Sequence, residues 1–132
     1  MTEIGTLNLT STPIIVPLDL QSDSFNNVSY ANPNAITIDE AGTYLIMVTM
    51  SGRSVSTTTA ISLELAVNGV AQGNTMQALE FDTFELNTFV FSNIMTLSAG
   101  DQLSLLISAD PDTLFSTPQL GQAAGIVVLR VT

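Results

Sequence analysis

Residues 43–51 read Thr-Tyr-Leu-Ile-Met-Val-Thr-Met-Ser, and an extended strand through them is apolar on both faces. Alternation puts Tyr44, Ile46, Val48 and Met50 on one side and Leu45, Met47 and Thr49 on the other. Residues 122–131 repeat the feature, with Ala124, Ile126 and Val128 opposing Ala123, Val127, Leu129 and Val131. A strand in an ordinary two-layer sandwich is polar on its outward face. A strand apolar on both faces is covered twice, and in a chain of 132 residues the second cover is most simply another subunit. The other option is a central strand that tolerates a few surface hydrophobics. We read the pattern as oligomerisation.

The rest of the chain points to an all-β architecture. No window longer than ten residues repeats apolar positions at helical spacing. Short runs rich in Thr, Val, Ile, Leu and Phe alternate with Gly, Pro, Asn, Asp and Ser, which predicts strands near 4–9, 14–20, 25–30, 35–38, 43–51, 60–67, 75–79, 86–97, 102–108 and 122–131. That spacing fits a sandwich or barrel within a single domain spanning 1–132. Asn68-Gly69 after Leu63-Glu64-Leu65-Ala66-Val67 predicts a tight primed hairpin turn, since both residues accept positive φ. Ala41-Gly42 and Ala99-Gly100 each close a turn and launch a strand. Segments 53–60 and 109–121 read as exposed loops.

Composition removes several functions. There is no Cys and no His, so disulfides, thiolate metal sites and serine–histidine or cysteine–histidine catalysis are excluded. Twelve acids face two bases, Arg53 and Arg130, for a net charge of −10. Such a chain is repelled by nucleic-acid phosphates and anionic headgroups. It is apolar all the same, at 45% hydrophobic with a mean hydropathy of +0.41. No apolar run approaches the roughly 20 residues of a spanning helix, and the start, Met1-Thr2-Glu3, lacks the basic and apolar regions of a signal peptide. We therefore expect no nucleic-acid partner, no membrane insertion and no enzymatic activity. An apolar surface hidden in an oligomer accounts for the composition.

Four segments in order carry a resemblance. They are Ala41-Gly42-Thr43-Tyr44-Leu45-Ile46; Leu63-x-Leu-x-Val67-Asn68-Gly69; Ile94-Met95-Thr96-Leu97-Ser98-Ala99-Gly100-Asp101-Gln102-Leu103-Ser104-Leu105; and Ala124-Gly125-Ile126-Val127-Val128-Leu129-Arg130-Val131. Together they resemble strands C, D, F–G and H of the jelly roll shared by complement collagen heads and tumour necrosis factor. The nearest flavour is the C-terminal domain of BclA-type collagen-like exosporium glycoproteins, over roughly residues 28–132. The resemblance implies a jelly roll of about ten strands, a homotrimer and a place on the bacterial spore surface. It implies that the sheet of strands A, C, F and H faces a threefold axis. By position, Leu45, Met47, Val90, Val127 and Leu129 would line that interface, and Tyr44, Ile46 and Val48 would fill the core. Family members carry a Gly-X-Y collagen stalk, and this chain contains no such repeat.

The remaining constellations read more plainly as structure. Acids at Glu80, Asp82 and Glu85, and at Asp110 and Asp112, could offer oxygen ligands to calcium, but they read as solvated acidic loops. Asp39 and Glu40 could be a paired-carboxylate catalyst, but they read as turn formers. Two glycosylation-type triplets, Asn8-Leu9-Thr10 and Asn27-Val28-Ser29, are taken as chance matches. Arg130, among aliphatics, should pair with an acid across a subunit boundary or at the strand's solvent end. Phe81, Phe84, Phe89 and Phe91 read as core or interface rather than a sugar platform. No cofactor or metal is expected. The expected function is a structural trimerisation head of a spore-surface fibre; the alternative is a trimeric adhesin or phage-fibre tip binding a host protein or glycan through 53–60 and 109–121.

Overall fold

A computed structural model describes residues 6–16, 28–29, 35–116 and 124–131. They form eleven strands and no helix: β1 (Thr6–Leu9), β2 (Ile14–Ile15), β3 (Val28–Ser29), β4 (Ile36–Ile38), β5 (Gly42–Ser54), β6 (Thr59–Val67), β7 (Val70–Phe81), β8 (Leu86–Leu97), β9 (Gln102–Asp110), β10 (Thr113–Ser116) and β11 (Ala124–Arg130). The strands make two sheets, so the expected all-β sandwich is present.

The first sheet is organised by β5. Along one edge β8 pairs with it antiparallel from Gly42↔Leu97 to Arg53↔Leu86. Along the other edge β11 pairs from Arg130↔Tyr44 to Ala124↔Met50. Further along that edge β10 takes Ser54 and Arg53, and β1 pairs beyond β10. The segments expected to share one sheet, 43–51, 86–97 and 122–131, therefore do so. The second sheet runs β3-β4-β9-β6-β7, with β2 also on β9.

The core lies between the sheets. Tyr44, Ile46, Val48 and Met50 of β5 are fully buried, as alternation requires. They meet Ile61, Leu63 and Leu65 of β6 and Leu103, Leu105 and Ile107 of β9. At one end Phe81, Phe89 and Phe115 cluster, with Phe81 5.6 Å from Phe89 in a tilted pair and 5.7 Å from Phe115 edge-on. Gly52 occupies the next inward position of β5 because Phe115 fills the space a side chain would need. A Cβ there would come within 2.2 Å of the Phe115 ring.

The hairpin turn falls where the dipeptide placed it, with Asn68 at φ 53° and Gly69 at φ 81° joining β6 to β7. Gly100 also takes positive φ, at 92°, in the turn from β8 to β9.

Three local expectations are corrected. Residues 53–60 are only partly a loop: β5 continues to Ser54 and β6 starts at Thr59, both buried. A run of Ser and Thr looks like loop, yet here the hydroxyls satisfy one another. Ser54 Oγ bonds Thr113 Oγ1 and the Thr57 carbonyl, and Ser56 Oγ lies 3.0 Å from Thr113 Oγ1. Residues 109–121 likewise contain β10, anchored by buried Phe115; 117–123 lie outside the described residues. Finally β7 spans Val70–Phe81 rather than 75–79, because pairing to the whole of β6 carries its polar residues into the sheet. Of the expected strands 14–20 and 25–30, Ile14–Ile15 and Val28–Ser29 are seen as β2 and β3; buried Val16 follows β2, its amide donating to the Leu105 carbonyl, and residues 17–20, 25–27 and 30 lie outside the described set.

Candidate self-association surface

The outward face of the β5 sheet is apolar over three successive rows. Register places Leu129, Leu45 and Ile94 side by side, then Val127, Met47 and Ser92, then Thr49 and Val90. Val90 and Ile94 are each 60% exposed, and Met47, Val127 and Leu129 are 36–43% exposed. Leu45, flanked on both sides, is half-buried. Hydroxyl pairs bound the rows at either end: Thr43 and Thr96 at 3.4 Å, and Ser51 and Thr88 at 2.9 Å. All five residues singled out in the sequence, Leu45, Met47, Val90, Val127 and Leu129, thus lie on one face. Ile94 completes the patch; its parity with Val90 on one strand is the signal that places it there.

The polar groups expected to be structural have structural partners. Arg130 Nη1 lies 3.4 Å from Glu40 Oε1, and its Nη2 donates to the Ala41 carbonyl at 3.0 Å. The same turn accepts the Tyr44 hydroxyl at the Glu40 carbonyl. Arg130 therefore pairs within its own chain, at the solvent end of its strand. Arg53 faces outward from β5 and makes no ion pair with a described residue. Among the described residues no three acidic side chains gather as metal ligands. Phe81 and Phe89 are core, Phe91 packs against it half-buried, and Phe84 is exposed.

The two candidate loops do meet. A shallow cavity of about 260 Å³ is lined by Asn8, Leu9 and Thr10 from the end of β1, by Ser56, and by Asp112, Thr113 and Leu114.

No protein-family model matches this sequence, and no curated protein does. Solved structures do. Murine APRIL at pH 5.0 superposes with a TM-score of 0.62 at 16% identity, over 95% of this chain and 98% of that one. The Eiger TNF of S. frugiperda superposes with a TM-score of 0.57 at 12% identity, over 98% of this chain and 94% of that one. A second murine APRIL structure, at pH 8.5, gives 0.53 at 14% identity, over 84% and 94%. The fold is the tumour-necrosis-factor-like jelly roll. The β5–β8–β11 sheet contains the segments that the sequence resemblance likened to strands C, F and H.

Proposed function

We propose that this chain is the trimeric head domain of a collagen-like fibre on the bacterial spore surface, acting by assembly and not by catalysis. The observation that carries the reading is the apolar outward face of Leu45, Met47, Val90, Ile94, Val127 and Leu129. Burying what remains exposed of each side chain contributes roughly 1 kcal/mol, and in a symmetric trimer the patch is counted three times. The jelly-roll fold supports the trimer, and the BclA-type motifs support the spore surface. Hydrophobic burial between identical heads would set chain stoichiometry, and a net charge of −10 per chain would hold neighbouring fibres apart.

Leu129→Asp tests the reading. It puts a charge into the patch without touching the core. The expected product is a folded monomer by circular dichroism and sedimentation; an unchanged assembly would refute the assignment of this face. Immunogold labelling of intact spores tests the location.

The cavity beside Ser56 and Asp112 favours a second reading, an adhesin tip that takes a neutral sugar. Its hydroxyl, amide and carboxylate lining offers hydrogen bonds to a polyol, and Leu114 an apolar wall. Asp112→Ala and Asn8→Ala would abolish binding to a glycan array, and an array with no wild-type signal would eliminate this reading.

A further inference from the structure

Phe84 adopts a left-handed backbone, φ 65°, and is 64% exposed. Neither property helps the isolated chain. A bulky aromatic is strained at positive φ, where Gly or Asn is at ease, and an exposed ring buries no apolar area. The loop is nonetheless held firmly. Phe84 N–H donates to the Ser54 carbonyl at 2.7 Å, Glu85 N–H to the Asp82 carbonyl at 3.0 Å, and Thr83 bridges Ser54. Ser54 is itself locked in the buried hydroxyl network with Thr113. The backbone that carries the ring is thereby pinned, which lowers the entropic cost of docking.

The surroundings indicate what it docks against. Leu86, two residues on, is also exposed; it sits opposite Arg53 on the outward face that carries Val90. Leu86 thus extends the apolar face beyond the Ser51–Thr88 row, and exposed Phe84 stands in the turn that leads into it. Exposed Asp82 and Glu85 flank Phe84 in sequence, and Arg53, which precedes the Ser54 that holds the Phe84 amide, has no ionic partner among the described residues. An anchor with both signs of charge next to it is complementary to a copy of itself. We infer that Phe84 grips the neighbouring subunit, its ring covered by the neighbour's Arg53–Leu86 row and its flanking carboxylates facing the neighbour's Arg53. An arginine over an aromatic face adds a cation–π contact. The inference rests on the self-association reading and names an anchor within it.

The experiment is subunit exchange between two differently labelled preparations of the full chain, with sedimentation at matched concentration and urea unfolding of dilute protein. Phe84→Asn keeps a residue suited to the backbone and removes the ring. Exchange is expected to accelerate at least tenfold, while the urea midpoint of the dissociated chain holds or rises. Arg53→Glu and Glu85→Arg should each accelerate exchange, and the double variant should return to within about threefold of wild type. If Phe84→Asn leaves exchange unchanged in an assembled protein, the anchor is refuted and the trimer stands. If the double variant exchanges faster than either single one, the charge pairing is refuted. A wild-type chain that is monomeric throughout removes both.

Discussion

The Asn68 side-chain amide donates to the Asp101 carboxylate at 2.9 Å, and Asn68 Oδ1 accepts the Gln102 amide at the same distance. One residue at the tip of the β6–β7 hairpin is thereby clasped to the turn between β8 and β9. Asp101 Oδ2 takes the Ser98 amide at 2.8 Å, and the Gly100 amide donates to Ile38. Three connections are tied at one end of the sandwich. Asn68→Ala removes both side-chain bonds and puts a Cβ residue ill suited to φ 53° into the turn. The expected loss is about 2 kcal/mol, read as a lower urea midpoint; a loss under about 0.5 kcal/mol would show the clasp to be idle.

The clasp also sets a pH response. Hydrogen bonds from the Ser98 amide, and then from the Asn68 side chain, hold the Asp101 carboxyl below its ordinary value. A group whose folded pKa is depressed stabilises the fold above its unfolded pKa. That contribution fades as pH falls through roughly 4 and is gone below the folded value. Asp101→Asn should therefore flatten the stability–pH curve below about pH 5, measured by urea unfolding. An unaltered slope would contradict the assignment.

Gly52 and Phe115 form a size-matched pair. Gly52→Ala drives a methyl into the Phe115 ring, and the expected cost is about 1–3 kcal/mol. Phe115→Leu, which leaves a void beside Phe81, costs a similar amount alone. Combined, the two should cost less than their sum. Strict additivity in thermal unfolding would mean that the ring does not set the glycine.

The free edge of β8 is sealed by side chains. Thr88 N–H donates to Asn87 Oδ1 at 3.1 Å, Val90 N–H to Gln77 Oε1 at 2.8 Å and Ile94 N–H to Asn93 Oδ1 at 2.9 Å. Asn87 and Asn93 occupy inward-parity positions, where apolar residues are the rule, because they cap the next amide. Unpaired edge amides template strand addition. Replacing Asn87, Asn93 and Gln77 by Val should leave the fold intact by circular dichroism and produce species larger than the wild-type assembly at high concentration. A triple variant of unchanged mass would remove this role from the caps.

Much of the fold was legible because its determinants are local. Alternation in 43–51 sorted Tyr44, Ile46 and Val48 from Leu45 and Met47, the family resemblance assigned the first set to the core, and Asn68-Gly69 placed the hairpin. The resemblance put Val90, Val127 and Leu129 on that outward face, and antiparallel pairing to β5, which preserves alternation, places them together there. What stayed hidden depends on partners far away in sequence. Ser54, Thr59 and Thr113 look like loop residues until the Ser54 and Thr113 hydroxyls meet and the Thr59 hydroxyl donates to the Pro111 carbonyl, each across more than fifty positions. Phe115 gives β10 its anchor only when Gly52 and Phe81 are beside it. Phe84 shares a composition with Phe81 and Phe89, yet the turn that exposes it is set by the Ser54 carbonyl, which no local pattern announces.

The central claim is that the outward face of β5, β8 and β11 is covered by copies of the same chain. Sedimentation equilibrium of the wild-type protein across a hundredfold dilution measures this directly. The account predicts a mass three times the 14.0 kDa of one chain over the whole range. A mass of one chain at every concentration would contradict it.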